Sequence, residues 1–102
     1  MTIFYKMGAE GDLYPAMQKA LTKISHVFWL HYKEDVLVTS KRDGTHSPGS
    51  LHYIGRGVDV RYPRSCDNRQ KLAQQLREAL GPSFDVVVEG NHLHIEYDPK
   101  EA

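Results

Sequence analysis

The sequence predicts an α+β fold: a small, largely antiparallel sheet with helices packed on one face. Three observations carry that prediction. Two segments repeat their apolar residues at helical spacing, the other apolar runs are short and rich in β-branched residues, and the last two runs flank Gly90-Asn91 as a hairpin would. The 102 residues suffice for one domain, 1–102, with a single core and little room for insertions.

From Asp12 to about Leu30, the residues Leu13, Ala16, Met17, Ala20, Leu21, Ile24, Val27 and Phe28 recur on one helical face, and Pro15 is tolerated in a first turn. Asp35 to Ser40 is short and β-rich, and Lys41 to Gly49 carries Asp-Gly and Ser-Pro-Gly turn signals. Gly57 to Tyr62 alternates, so Val58 and Val60 face one way while Asp59 and Arg61 face the other. Asp67 can cap a second helix running to about Leu80 with Leu72, Leu76, Ala79 and Leu80 on its apolar side, stopped by Gly81-Pro82. The hairpin then runs from Phe84 to Glu89 and from His92 to Tyr97.

Composition removes several classes of function. Thirteen basic and thirteen acidic residues balance, so no net field favours nucleic acid or an anionic membrane. Cys66 is the only cysteine, which rules out an internal disulfide framework and a cysteine-rich metal site. The N-terminus lacks the charged and apolar regions of a signal peptide, and no apolar stretch is long enough to span a bilayer. The expectation is a monomer made in the cytoplasm. His26 and His31 suit the end of a helix and receive no role.

The chemistry concentrates in two places. Ser50-Leu51-His52-Tyr53-Ile54-Gly55-Arg56-Gly57-Val58-Asp59 and Glu89-Gly90-Asn91-His92-Leu93-His94 together supply imidazoles and carboxylates. Two imidazoles and one carboxylate form a three-ligand zinc set with a fourth position open to water. With Gly90-Asn91 as a two-residue turn, Glu89 lies opposite His92 and Val87 opposite His94. Glu89, His92 and His94 then share one face, leaving Val86, Val88, Leu93 and Ile95 to the core, and one or both imidazoles can reach a metal. His52 and Asp59 are brought together only if the chain bends between them, which Gly55 and Gly57 make easy.

The run Thr45 to Val60, with His92-Leu93-His94, resembles the zinc motif shared by D-alanyl-D-alanine carboxypeptidases, phage peptidoglycan endopeptidases and the hedgehog amino-terminal signalling domain. The likeness covers roughly residues 39 to 97 and is closest to the hedgehog version. It implies zinc held by His52, Asp59 and His94, with His92 near a substrate oxyanion and Glu89 as base for a zinc-bound water. Many relatives place the acid three residues before the last ligand, where this chain has Asn91, so either Glu89 reaches in from the turn or His92 is the ligand. Arg42 resembles an arginine that holds a substrate carboxylate, and His46 matches a hedgehog histidine near the metal.

The resemblance further implies a zinc peptidase that hydrolyses an amide in peptidoglycan stem or cross-link peptides. The small size and missing signal peptide fit a phage or prophage enzyme released to the cell wall. The alternative it implies is a zinc-bearing binding module of the hedgehog type without turnover.

Overall fold

The structure, a computed structural model, describes residues 2–7, 13–41 and 56–99, and the backbone alone at 42. Its elements are β1 (Ile3–Tyr5), α1 (Pro15–Tyr32), β2 (Val36–Arg42), β3 (Gly57–Val60), α2 (Arg69–Leu80), β4 (Phe84–Val88) and β5 (Leu93–Tyr97). The five strands form one sheet in the order β1-β2-β3-β5-β4. All pairings are antiparallel except β1 with β2, so the predicted α+β architecture holds.

α1 begins later than expected, because Pro15 occupies the first helical turn, where its missing N–H costs nothing. It ends at Lys33, whose left-handed backbone (φ 56°) turns its N–H back to the Trp29 carbonyl. α2 is capped by Asn68 rather than Asp67: the Asn68 side chain accepts from the Lys71 N–H at 3.0 Å. Its far end closes at Gly81, where φ is +86°, a conformation a side chain would strain.

β1 is an element the sequence reading did not anticipate. Its three residues are too short to show a period, and it is held by β2, with Ile3 opposite Val36 and Tyr5 opposite Val38.

Both helices pack on one face of the sheet. Phe28, Met17, Leu21 and Ile24 of α1 and Leu72 and Leu76 of α2 are fully buried against Val36, Val38, Val58, Val60, Leu93 and Ile95. Polar ties complete the joints. The Tyr32 hydroxyl donates to Gln75 Oε1 at 2.9 Å between the helices, and Arg77 Nη2 donates to the Val86 carbonyl at 2.7 Å between α2 and β4. Because strand side chains alternate, Asp59 between Val58 and Val60, and His94 between Leu93 and Ile95, turn to the opposite face.

The segment after α1 is fastened to the one after β3. The Glu34 carboxylate accepts from the Arg64 N–H at 2.9 Å, the Ser65 N–H at 2.8 Å and the Ser65 hydroxyl at 2.9 Å. Desolvation alone would raise its pKa, but these three bonds and the Arg64 charge outweigh it and hold the carboxyl below its ordinary 4.5. The folded value is the lower one, so this stabilisation is complete above the ordinary value and is lost as pH falls through the folded value. Glu34→Gln is therefore expected to lower the urea midpoint near neutral pH, with the gap to the parent closing as pH drops below about 4.5. Parallel urea melts across that range check it.

Candidate metal centre

The site is built by register. β3 and β5 pair with Asp59 opposite His94, Val58 opposite Ile95 and Val60 opposite Leu93. Directly opposed strand residues present their side chains to the same face within contact distance. His94 Nδ1 accordingly lies 2.8 Å from Asp59 Oδ1, and Asp59 is only 4% exposed. The other ring nitrogen, Nε2, is 3.4 Å from Glu96 Oε1, two residues along the same strand.

β2 flanks the pair on the other side. Its register with β3 passes from Val38 opposite Val60 to Ser40 opposite Asp59, so Thr39 is an extra residue in a bulge. The Thr39 hydroxyl donates to the Asp59 carbonyl at 3.3 Å. The aspartate is thus fixed by backbone on both edges of its strand.

His92 comes from the hairpin tip. β4 and β5 pair with Val87 opposite His94 and Val88 opposite Leu93, the register expected from the two-residue turn. The pairing closes with the Glu89 N–H donating to the His92 carbonyl at 3.0 Å. His92 Nδ1 lies 2.6 Å from Asn91 Oδ1, and Nε2 lies 3.6 Å from Asp59 Oδ1. That Nε2 is buried and has no hydrogen-bond partner among the described residues. A buried ring nitrogen with no partner is costly unless something else occupies it.

Glu89 stands apart from the histidines. Its carboxylate is exposed and makes no hydrogen bond or ion pair with another described residue. Only its backbone is held: the Tyr62 hydroxyl donates to the Glu89 carbonyl at 2.5 Å. Arg69 donates to the neighbouring Gly90 carbonyl at 2.8 Å and lies 4.1 Å from the centre of the Tyr62 ring. Burial pushes the Tyr62 phenol above its ordinary 10.0 against the pull of the Arg69 charge, so the hydroxyl keeps the proton it donates. Tyr62 and Arg69 therefore hold the hairpin tip by its carbonyls. Neither was singled out from the sequence, since nothing local marks a residue that works through a distant carbonyl.

His52 and His46 lie outside the described residues, as does the Arg42 side chain; the Arg42 backbone ends β2 opposite Gly57. Among the described residues, no group of three or more His, Cys, Asp or Glu is placed to hold a metal. Two of the three expected donors are described, and they fit a divalent ion chemically. An imidazole nitrogen and a carboxylate oxygen face each other at 2.8 Å, somewhat inside the roughly 3.3 Å between neighbouring ligands of a tetrahedral ion with bonds of about 2.0 Å. The orphaned His92 Nε2 points to the same carboxylate.

Beside His92 the sheet face opens into a groove of about 530 Å³, lined by Lys6, Thr39, Arg61, Asn91 and His92. A polar groove of that volume admits a short stretch of peptide.

A family model described as the Hedgehog amino-terminal signalling domain matches residues 15–97. The match takes in both helices, β2 to β5 and the positions Asp59, His92 and His94. No individual curated protein matches the chain.

Proposed function

The chain belongs to the Hedgehog amino-terminal signalling domain family, whose fold is that of zinc peptidases, and from that premise we propose that it is a zinc metallopeptidase hydrolysing an amide bond in peptidoglycan stem or cross-link peptides. The observation that carries this reading is His92 Nε2, a buried nitrogen with no hydrogen-bond partner among the described residues, held 3.6 Å from Asp59 on a histidine that lines an open groove. The large majority of buried side-chain polar atoms have a partner, so an orphaned ring nitrogen calls for an explanation beyond packing.

In this proposal His52, Asp59 and His94 hold the zinc, which when bound polarises the scissile carbonyl and acidifies a water. Glu89, at the hairpin end, takes a proton from the attacking water and returns it to the leaving amine. His92 donates from Nε2 to the developing oxyanion, and the Asn91 side chain, 2.6 Å from its Nδ1, fixes the ring plane. Arg42 and His46 contribute to holding the substrate. The enzyme acts as a monomer, and a phage or prophage origin, with release to the wall, goes with that substrate.

Glu89→Gln tests the assignment. The expected result is a fall in turnover of about 10²- to 10⁴-fold with zinc content and melting temperature unchanged. Unchanged turnover would remove Glu89 as the base.

A second reading, a zinc-bearing binding module without turnover, draws on the exposed Glu89 carboxylate and on the family itself. Chelation separates the two. A structural zinc makes folding metal-dependent, whereas a catalytic one is removable from a protein that stays folded.

A further inference from the structure

We propose that the groove beside His92 is a carboxylate-reading subsite, in which Lys6 and Arg61 hold an anionic group of the bound peptide. The inference rests on the peptide substrate proposed above and names the feature of that peptide which is recognised.

The argument begins with placement. Arg61 follows Asp59 by two residues, so it leaves β3 on the same face as the carboxylate of the candidate centre. Its backbone N–H donates to the Leu37 carbonyl at 3.0 Å, which keeps it alongside β2 beyond the last paired residue. Lys6 follows β1 directly, and its N–H donates to the Val38 carbonyl at 2.8 Å. The groove therefore crosses the sheet in strand order, from Lys6 beside β1, over Thr39 of β2 and Arg61 after β3, to Asn91 and His92 before β5.

Charge then selects the ligand. Among the described residues, neither the Lys6 ammonium nor the Arg61 guanidinium has a hydrogen bond, ion pair or ring contact. Other arginines are engaged: Arg69 with Gly90 and Tyr62, Arg77 with Val86, Arg56 over Tyr14. Two uncommitted cations lining one concavity attract an anion, and a guanidinium fork matches a carboxylate in two parallel bonds. At the other end of the groove lies His92, whose Nε2 sits 3.6 Å from the Asp59 carboxylate. The carboxylate it reads thus belongs to the same peptide as the amide presented to His92, set off from it along the chain.

A wall stem peptide offers two such groups, its terminal carboxylate and the free carboxylate of a γ-linked glutamate, and selective amidation tells them apart. Zinc-loaded protein is titrated calorimetrically with a stem peptide bearing both carboxylates and with its two singly amidated forms. Amidation of one position is expected to weaken binding about tenfold, and that position identifies the group. The double variant Lys6→Ala/Arg61→Ala should bind all three peptides alike, at the weaker affinity, and Arg61→Lys on an otherwise intact chain should keep part of the preference. Both side chains are exposed, and circular dichroism confirms the variants' fold. Equal binding of the three peptides, a preference that persists in the double variant, or no binding at all overturns the subsite. Cleavage of the same peptides is scored separately. Discrimination without cleavage refutes the peptidase and leaves the subsite standing, whereas cleavage without discrimination refutes the subsite alone.

Discussion

Asp59→Asn is expected to abolish metal-dependent turnover and to weaken zinc binding by more than about 100-fold, while the sheet stays folded. Outer partners that merely orient a ligand are each worth about 10- to 100-fold in metal affinity, so loss of an anionic ligand exceeds that. The fold survives because Asp59 owes its position to backbone pairing with Ser40 and His94 rather than to its carboxylate. Some stability goes, since His94 Nδ1 loses a charged acceptor at 2.8 Å, a bond worth about 1.5–3 kcal/mol. A competitive zinc titration with a thermal melt on the same sample reads both effects. Zinc affinity within tenfold of the parent would remove Asp59 from the ligand set.

The second large effect belongs to the core. Phe28→Ala is expected to cost about 3–5 kcal/mol, most of the stability of a small domain. Phe28 is fully buried on α1 among residues of both helices and the sheet, with its ring edge-on to Tyr32 at 6.5 Å. The next residue provides the control. Trp29 is 42% exposed, and Trp29→Ala should stay within about 0.5 kcal/mol. Urea unfolding of the two variants beside the parent decides the matter; similar midpoints for both would mean that α1 does not dock through the Phe28 face.

Several of these features were legible in the sequence because a strong local rule dictates them. The alternation Val58, Asp59, Val60 assigns the aspartate to the face away from the helices, and its burial between two core valines agrees. The turn at Gly90-Asn91 sets Val87 against His94, and with it the side of the sheet on which both histidines emerge. The apolar spacing of Leu72, Leu76 and Leu80 places α2 on the core.

Other features were not legible, for reasons that differ. β1 is held by pairing to a strand some 33 positions away, and three residues carry no period of their own. Asp67 and Asn68 are equally good cap types one position apart, so the choice falls to the backbone direction entering α2. The hairpin tip that carries the exposed Glu89 is held from outside the hairpin, by Tyr62 and Arg69 on the Glu89 and Gly90 carbonyls. Lys6 reaches the groove through the pairing of β1 with β2, which no local pattern announces, whereas alternation alone turns Arg61 to the face of Asp59. The contributions of His46, His52 and the Arg42 side chain lie outside the described residues.

The most direct test of the central claim is to incubate zinc-loaded protein and a chelated control with purified peptidoglycan from several wall types and read the released fragments by mass spectrometry. The account predicts peptide fragments that appear only with metal and share one cleaved amide bond, which names the reaction. Folded, metal-filled protein that releases no fragment from any wall type would contradict it and leave a zinc-bearing binding module in its place.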